Sequence, residues 1–186
     1  MKGDEFLVFK SQLLDTPAVE RALRRISFEI IEKNRGTDNL CIIGIQRRGV
    51  FIAEKIRNNI LNSEGVDIPV GSLDITLYRD DIIIDGENPK INSTDVPFNI
   101  TGKKVILTDD VLYTGRTVRA AIDTLFSLGR PACIQFAALI DRGHRELPIK
   151  ADYVGKNIPT SHNEVVKVTF SEYDGCETAV SIYNKQ

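Results

Sequence analysis

Two short apolar runs, each followed a few residues later by a helical pattern, limit the folds open to this chain of 186 residues. The run LCIIGI at residues 40–45 is rich in β-branched side chains and predicts a buried strand, and a helix is predicted at 50–62. A second strand is predicted at 104–107, followed by a helix at 117–128 that Gly129 ends. Strands and helices in this order indicate an α/β fold with a mostly parallel central sheet.

The remaining segments continue this pattern. The sequence predicts a first helix that begins with Thr16 as its N-cap and Pro17 at its first position, and that ends at Gly36. Further strands are predicted at 73–78, 133–140, 165–170 and 179–183. We expect one domain over residues 1–186, because the sequence contains no internal repeat and no long linker.

Two turns are predicted from Asp-Gly pairs. The charged stretch 79–91 has the composition of a hairpin that turns at Asp85-Gly86. A second turn, at Asp174-Gly175, separates the last two predicted strands.

Composition excludes several classes of protein. The net charge of −2 argues against bulk coating of nucleic acid, so any RNA contact must be local. The three cysteines, Cys41, Cys133 and Cys176, form no CxxC pair, which is typical of a reduced, cytoplasmic protein. The N-terminal residues are charged where a signal peptide is apolar, and no run approaches the roughly 20 apolar residues of a membrane span. We therefore expect a cytoplasmic protein without a membrane partner.

Sequence signatures of other enzyme classes are missing. The chain contains neither the GxxxxGK[ST] loop of many ATPases nor a GxGxxG motif after a strand. Its two histidines, His144 and His162, give little support to metal-ligand clusters or to a Ser/His/Asp triad. We predict no metal site built from protein ligands alone.

The stretch VILTDDVLYTGRT, at residues 105–117, joins two acids to a small-residue turn between a strand and a helix. Free amides at a helix N-terminus, a glycine and two hydroxyls suit one phosphate, whereas Asp109 and Asp110 suit sugar hydroxyls. Together they predict a site for ribose 5-phosphate at the carboxyl end of a strand. Taken alone, the acids also fit a solvated turn, and TGRT also fits an ordinary helix cap.

These residues resemble the phosphoribosyl pyrophosphate (PRPP) signature of type I phosphoribosyltransferases. The longer match is to the PyrR family, the pyrimidine operon attenuators that also have uracil phosphoribosyltransferase activity. It includes GIQRRG, DITLYRDD, DRGHRELPI and YVGKNIPTS, and it covers nearly the whole chain. The resemblance implies a mostly parallel sheet flanked by helices, with a flexible hairpin loop and a small hood.

The resemblance also implies which residues bind PRPP. Asp109 and Asp110 would bind the ribose hydroxyls, and Arg79 on the hairpin loop would close onto the diphosphate. The residues placed at PRPP are Asp109, Asp110, Val111, Leu112, Tyr113, Thr114, Gly115, Arg116 and Thr117. Arg47, Arg48 and Gly49 occupy the pyrophosphate loop, where the family more often has threonine in place of Arg47. Asp109, Asp110 and Arg79 are the predicted catalytic residues.

The implied reaction displaces pyrophosphate from PRPP by uracil and gives UMP. Carboxylates near the ribose, and arginines with Mg²⁺ at the diphosphate, would stabilise the charges that develop. Mg²⁺ would be held mainly by substrate oxygens. Asp141, Arg142 and Val165 are the predicted base-binding residues.

The resemblance further implies a pyrimidine operon mRNA leader as a partner, with UMP or UTP as effectors and a homodimer or larger oligomer as the assembly. Arg21, Arg24 and Phe28 share the helix face opposite the apolar stripe, a combination that suits single-stranded RNA. The predicted RNA-binding residues are Arg21, Arg24, Phe28, Lys33 and Arg145. Known RNA-binding members more often have threonine for Arg24 and histidine for Phe28, and Phe28 also suits a subunit interface. The alternatives are an enzyme without an RNA role, a purine phosphoribosyltransferase, and a regulator that binds nucleotide without turnover.

Overall fold

A computed structural model describes residues 6–75 and 94–186 of the chain. Its elements in chain order are β1 Leu7–Leu14, α1 Thr16–Asn34, β2 Leu40–Ile45, α2 Arg48–Glu64, β3 Val70–Leu73, β4 Lys104–Leu112, α3 Arg116–Leu128, β5 Cys133–Asp141, β6 Tyr153–Asn157, β7 Glu164–Thr169, α4 Ser171–Asp174 and β8 Ala179–Lys185. Five strands pair in parallel in the order β3-β2-β4-β5-β6. The predicted α/β fold with a parallel central sheet is confirmed.

The two faces of the sheet carry separate apolar clusters because side chains alternate along each strand. On β4, Ile106 packs with α1 and α2, whereas Val105 and Leu107 pack with α3. On β2, Ile42 and Ile43 divide in the same way. This two-sided burial explains why both strands read as continuous apolar runs in the sequence.

A second, antiparallel sheet of three strands has the order β1-β8-β7. Its buried face, which includes Val166, Val168 and Val180, joins the apolar cluster on the α1 and α2 side of the central sheet. This smaller sheet corresponds to the predicted hood.

Predicted element bounds hold best where burial is continuous. The strand LCIIGI coincides with β2, while α2 and α3 begin two residues and one residue earlier than predicted. The β4 strand continues to Leu112, because its pairing with β5 extends to Asp141. The strand predicted at 73–78 is displaced, since β3 ends at Leu73 and residues 76–78 lie outside the described part. The strands β1 and β6 were not predicted.

The predicted N-cap of the first helix is wrong by one residue. The Asp15 carboxylate accepts a hydrogen bond from the Ala18 amide at 2.9 Å, and Pro17 follows inside the first turn. The Thr16 hydroxyl instead donates to the Thr178 carbonyl at 2.9 Å and ties α1 to the strand β8. At the other end Arg35 takes the left-handed conformation, so α1 ends at Asn34 rather than Gly36.

Arg79 and the hairpin predicted at 79–91, with its turn at Asp85-Gly86, lie outside the described residues. In the described ranges, 6–75 and 94–186, we find no helix with the length and apolar character needed to cross a membrane.

Candidate active site

The predicted ribose 5-phosphate stretch lies where the strand β4 passes into the helix α3. Gly115 is the N-cap of α3 and has a φ of 94°, a conformation that L side chains rarely adopt. Residues 111–118 and Glu146 line a cavity of about 250 Å³. The predicted phosphate residues Thr114, Arg116 and Thr117 therefore share one cavity at the amino end of a helix.

The carbonyl groups of the loop between β4 and α3 are bonded to a neighbouring segment, residues 141–149. The Arg142 amide donates to the Leu112 carbonyl at 3.1 Å, and Arg145 Nη1 donates to the Tyr113 carbonyl at 2.7 Å. The Glu146 amide donates to the Thr114 carbonyl at 3.0 Å. The Arg116 amide donates to the Thr114 hydroxyl at 3.4 Å, and the backbone amides of the first turn of α3 point away from the helix, in the arrangement that suits an anion.

The two predicted ribose acids sit just before this loop. Asp109 is only 8% exposed, and its Oδ1 accepts from the Asp110 amide at 2.9 Å. Asp110 is half-buried, and its Oδ1 accepts from the Val111 amide at 2.8 Å. Burial raises the pKa of Asp110, and the positive charge of Arg48 opposes that rise. Arg48 and the two acids therefore form one charged cluster.

The predicted pyrophosphate loop runs from the end of β2 into the first turn of α2 and contacts β4 directly. A Cβ added at Gly49 would lie 2.4 Å from the Thr108 carbonyl oxygen, so only glycine fits here. The Thr108 hydroxyl donates to the Gly49 carbonyl at 2.8 Å. Arg47 is exposed, and the peptide bond that precedes it is cis. The structure thus brings Arg48 and Gly49 to the acids at the end of β4.

Asp174 also belongs to this cluster, although no pattern in the sequence predicted it. Arg48 Nη2 donates to its Oδ1 at 2.8 Å, and the Phe170 amide donates to its Oδ2 at 2.8 Å. The sequence shows Asp174 only as half of an Asp-Gly turn, and no local pattern connects it to Arg48. Because Asp174 lies far from Arg48 in the sequence, its role in orienting the Arg48 guanidinium could not be predicted.

The predicted base-binding residues lie between the central sheet and the hood. Arg142 is 6% exposed, stacks at 4.2 Å over the Tyr113 ring, and donates to the Glu164 carbonyl at 2.7 Å. Val165 follows Glu164 on β7 and pairs with Tyr183. Asp141 is half-buried, and its carboxylate accepts from Arg145. Arg142 therefore connects the end of β5 to the segment that carries Val165.

Four of the predicted RNA-binding residues lie on α1, and three of them share its outer face. Arg21, Arg24 and Phe28 are exposed, and Phe28 is 51% exposed, so the prediction that it points away from the core is confirmed. Lys33 is exposed and forms an ion pair of 2.6 Å with Asp152. Arg145 instead lies at the carboxyl end of β5, where its contacts are with residues around the phosphate cavity.

Comparison with known proteins relates this architecture to one enzyme class. A family model described as the phosphoribosyl transferase domain matches residues 10–173. A Listeria monocytogenes protein named Bifunctional protein PyrR is 57% identical over 173 residues, 91% of this chain and 94% of that protein. A protein of the same name from Caldicellulosiruptor saccharolyticus is 59% identical over 163 residues, 88% of this chain and 90% of that protein.

Solved structures with low sequence identity share the fold. The hypoxanthine phosphoribosyltransferase of Trypanosoma cruzi aligns with a TM-score of 0.73 at 16% identity, over 96% of this chain and 98% of that one. A hypoxanthine-guanine phosphoribosyltransferase of Bacillus anthracis aligns with a TM-score of 0.68 at 19% identity, over 96% and 99%. The predicted type I phosphoribosyltransferase fold is confirmed.

Proposed function

Because the chain belongs to the PyrR family of phosphoribosyltransferases, we propose that it makes UMP and pyrophosphate from uracil and PRPP, and that it also regulates a pyrimidine operon. In the regulatory role it binds the mRNA leader in response to uridine nucleotides. One observation supports the enzymatic proposal above all. The acids Asp109 and Asp110 lie at the end of β4, directly before the Thr114–Thr117 turn that lines the phosphate cavity.

The cluster suits each part of PRPP. The cavity at the amino end of α3 takes the 5-phosphate, and the carboxylates of Asp109 and Asp110 accept hydrogen bonds from the ribose hydroxyls. Arg48 and the loop before α2 face the diphosphate. As the bond from the anomeric carbon to the diphosphate breaks, the sugar becomes positive and the leaving group negative. The carboxylates stabilise the first charge and Arg48 stabilises the second.

The oxygen donors of Asp109 and Asp110 fit Mg²⁺, which prefers carboxylate and phosphate oxygens. In the described part of the chain we find no group of three or more His, Cys, Asp or Glu residues arranged to hold a metal ion. A bound Mg²⁺ would supply charge neutralisation at the diphosphate, with one or two of these carboxylates and the substrate as its ligands. The protein's own contribution is to hold Asp109 buried and Asp110 half-buried beside Arg48.

The enzymatic proposal is tested by incubating the protein with PRPP, Mg²⁺ and each nucleobase in turn. We expect UMP from uracil and no nucleotide from hypoxanthine or guanine, because the relatives at 57–59% identity are named PyrR. The purine enzymes above share only the fold. Absence of UMP would reject the catalytic proposal, and formation of a purine nucleotide would favour the alternative specificity.

The regulatory proposal rests on family membership and on the exposed face of α1. Arg21, Arg24 and Phe28 offer cations and an aromatic ring on one surface, a combination that binds unpaired RNA bases. We propose that this surface contacts the leader, and that UMP or UTP tightens the complex.

A Phe28→Ala variant tests this surface, with Phe126→Ala as the control. The two rings are similarly exposed, at 51% and 46%, but Phe126 lies on α3. We expect Phe28→Ala to weaken leader binding while UMP synthesis is unchanged, and Phe126→Ala to alter neither. A fall in oligomer size with intact RNA binding would place Phe28 in a subunit interface. Failure of UMP and UTP to tighten wild-type binding would reject the regulatory role.

A further inference from the structure

Glu146 places a carboxylate in the wall of the proposed phosphate cavity. Its side chain is 51% exposed, and Arg116 Nε donates to its Oε2 at 2.7 Å. Its backbone is held independently, since the amides of Glu146 and Leu147 donate to the Thr114 carbonyl at 3.0 and 3.2 Å. The carboxylate therefore remains beside the turn that carries Arg116.

The described residues that line this cavity carry one positive and one negative side chain. Among the described residues that line it, Arg116 and Glu146 are the charged ones, and they form an ion pair with each other. A phosphate monoester carries about −1.5 to −2 charges near neutral pH. A 5-phosphate that enters the cavity therefore meets a carboxylate as well as a guanidinium, and it must share or take over Arg116.

We propose that Glu146 competes with the 5-phosphate for Arg116 and so sets the affinity of the site for phosphorylated ribose. This inference rests on the proposed function of the cavity. Arg116 forms the ion pair with Glu146 in the free protein and turns its planar guanidinium toward the phosphate when a nucleotide binds. Glu146 is a positioning residue that acts through Arg116, and it weakens the binding of phosphorylated ribose.

The geometry allows the charge to be removed without moving the loop. A Glu146→Gln side chain keeps an oxygen that accepts from Arg116, and both backbone amides of the segment stay in place. Glu54→Gln is a matched control, because Glu54 is 48% exposed and pairs with Arg57 at 3.5 Å on the helix α2. It lies outside the residues that line the phosphate cavity.

The first test is calorimetric titration of the full chain with UMP and with uridine, which lacks the phosphate. We expect Glu146→Gln to bind UMP about three- to tenfold more tightly than the wild type, the range for one partly screened charge near a dianion. Binding of uridine should not change, and Glu54→Gln should match the wild type with both ligands. The gain for UMP should shrink as salt rises.

The second test asks whether the effect passes through Arg116. In an Arg116→Gln background, the added Glu146→Gln change should increase UMP affinity by less than half of its effect in the wild type. An equal effect in both backgrounds would overturn the competition. So would a Glu146→Gln protein that binds UMP no better than the wild type. A wild type that binds no UMP and forms none would instead overturn the proposed function together with this inference.

Discussion

Replacement of Gly49 by alanine tests how closely the pyrophosphate loop approaches β4. The new Cβ would stand 2.4 Å from the Thr108 carbonyl oxygen, about 0.6 Å inside the 3.0 Å minimum for such contacts. It would also lie 3.3 Å from the Asp109 Cα. Both neighbours are backbone atoms of a central strand, so they cannot rotate away. The loop must move outward, and the ribose acids lose their position relative to Arg48.

Overpacking of this kind costs about 1–3 kcal/mol of unfolding free energy. For an m-value of about 2 kcal/mol/M in urea, a loss of about 2 kcal/mol lowers the midpoint by about 1 M. Urea unfolding measures this change, and steady-state kinetics should show a higher KM for PRPP. Asn58→Ala, at an exposed position of the same helix, is the control and should stay within about 0.5 kcal/mol. A Gly49→Ala protein with wild-type stability and KM would refute the close approach.

Three further predictions concern stability and reactivity. Burial raises the pKa of the Asp110 carboxyl in the folded protein above its pKa in the unfolded chain. The free energy of unfolding therefore falls as the pH rises from the unfolded pKa through the folded pKa. Asp110→Asn should therefore raise the Tm at pH 7, and this gain in Tm should shrink toward pH 4. The variant should also make no UMP. An unchanged Tm would contradict the burial of Asp110. Asp15→Ala removes the cap of α1 and should cost about 1 kcal/mol in urea unfolding, and no loss would show that Asp15 is not the cap. Burial raises the pKa of Cys41 to about 11. Native protein at pH 8 should therefore react with iodoacetamide only at its two exposed cysteines, as measured by mass spectrometry. Rapid alkylation of Cys41 would contradict its place in the core.

The sequence predicted β2, β4 and β5 of the central sheet because these strands are largely buried. Such strands appear as unbroken apolar runs, and LCIIGI has the bounds of β2 for this reason. β1 was missed because it belongs to the smaller sheet and keeps Val8 and Phe9 exposed. β6 was missed because it is short and includes a glycine and a lysine. Local composition does not separate such segments from loops.

The site was predictable where its residues are consecutive. The acids and the phosphate turn lie in one stretch of thirteen residues, at 105–117, and chain geometry alone brings them together. Asp174, Arg145 and Glu146 come from segments far along the chain, and only the packing of β5 and α4 against the site brings them there. Arg145 was predicted to bind RNA because its charge is visible in the sequence, whereas the carbonyl groups that it contacts are not.

A crystal structure of the protein with UMP bound would show whether β4 and the turn that follows it form the ribose 5-phosphate site. We expect a 5-phosphate within about 2.7–3.2 Å of the amide nitrogens of the Thr114–Thr117 turn. We also expect ribose hydroxyls bonded to the carboxylates of Asp109 and Asp110, and a uracil ring between the end of β5 and Val165. A nucleotide whose phosphate lies elsewhere, or whose ribose does not contact these acids, would contradict this expectation.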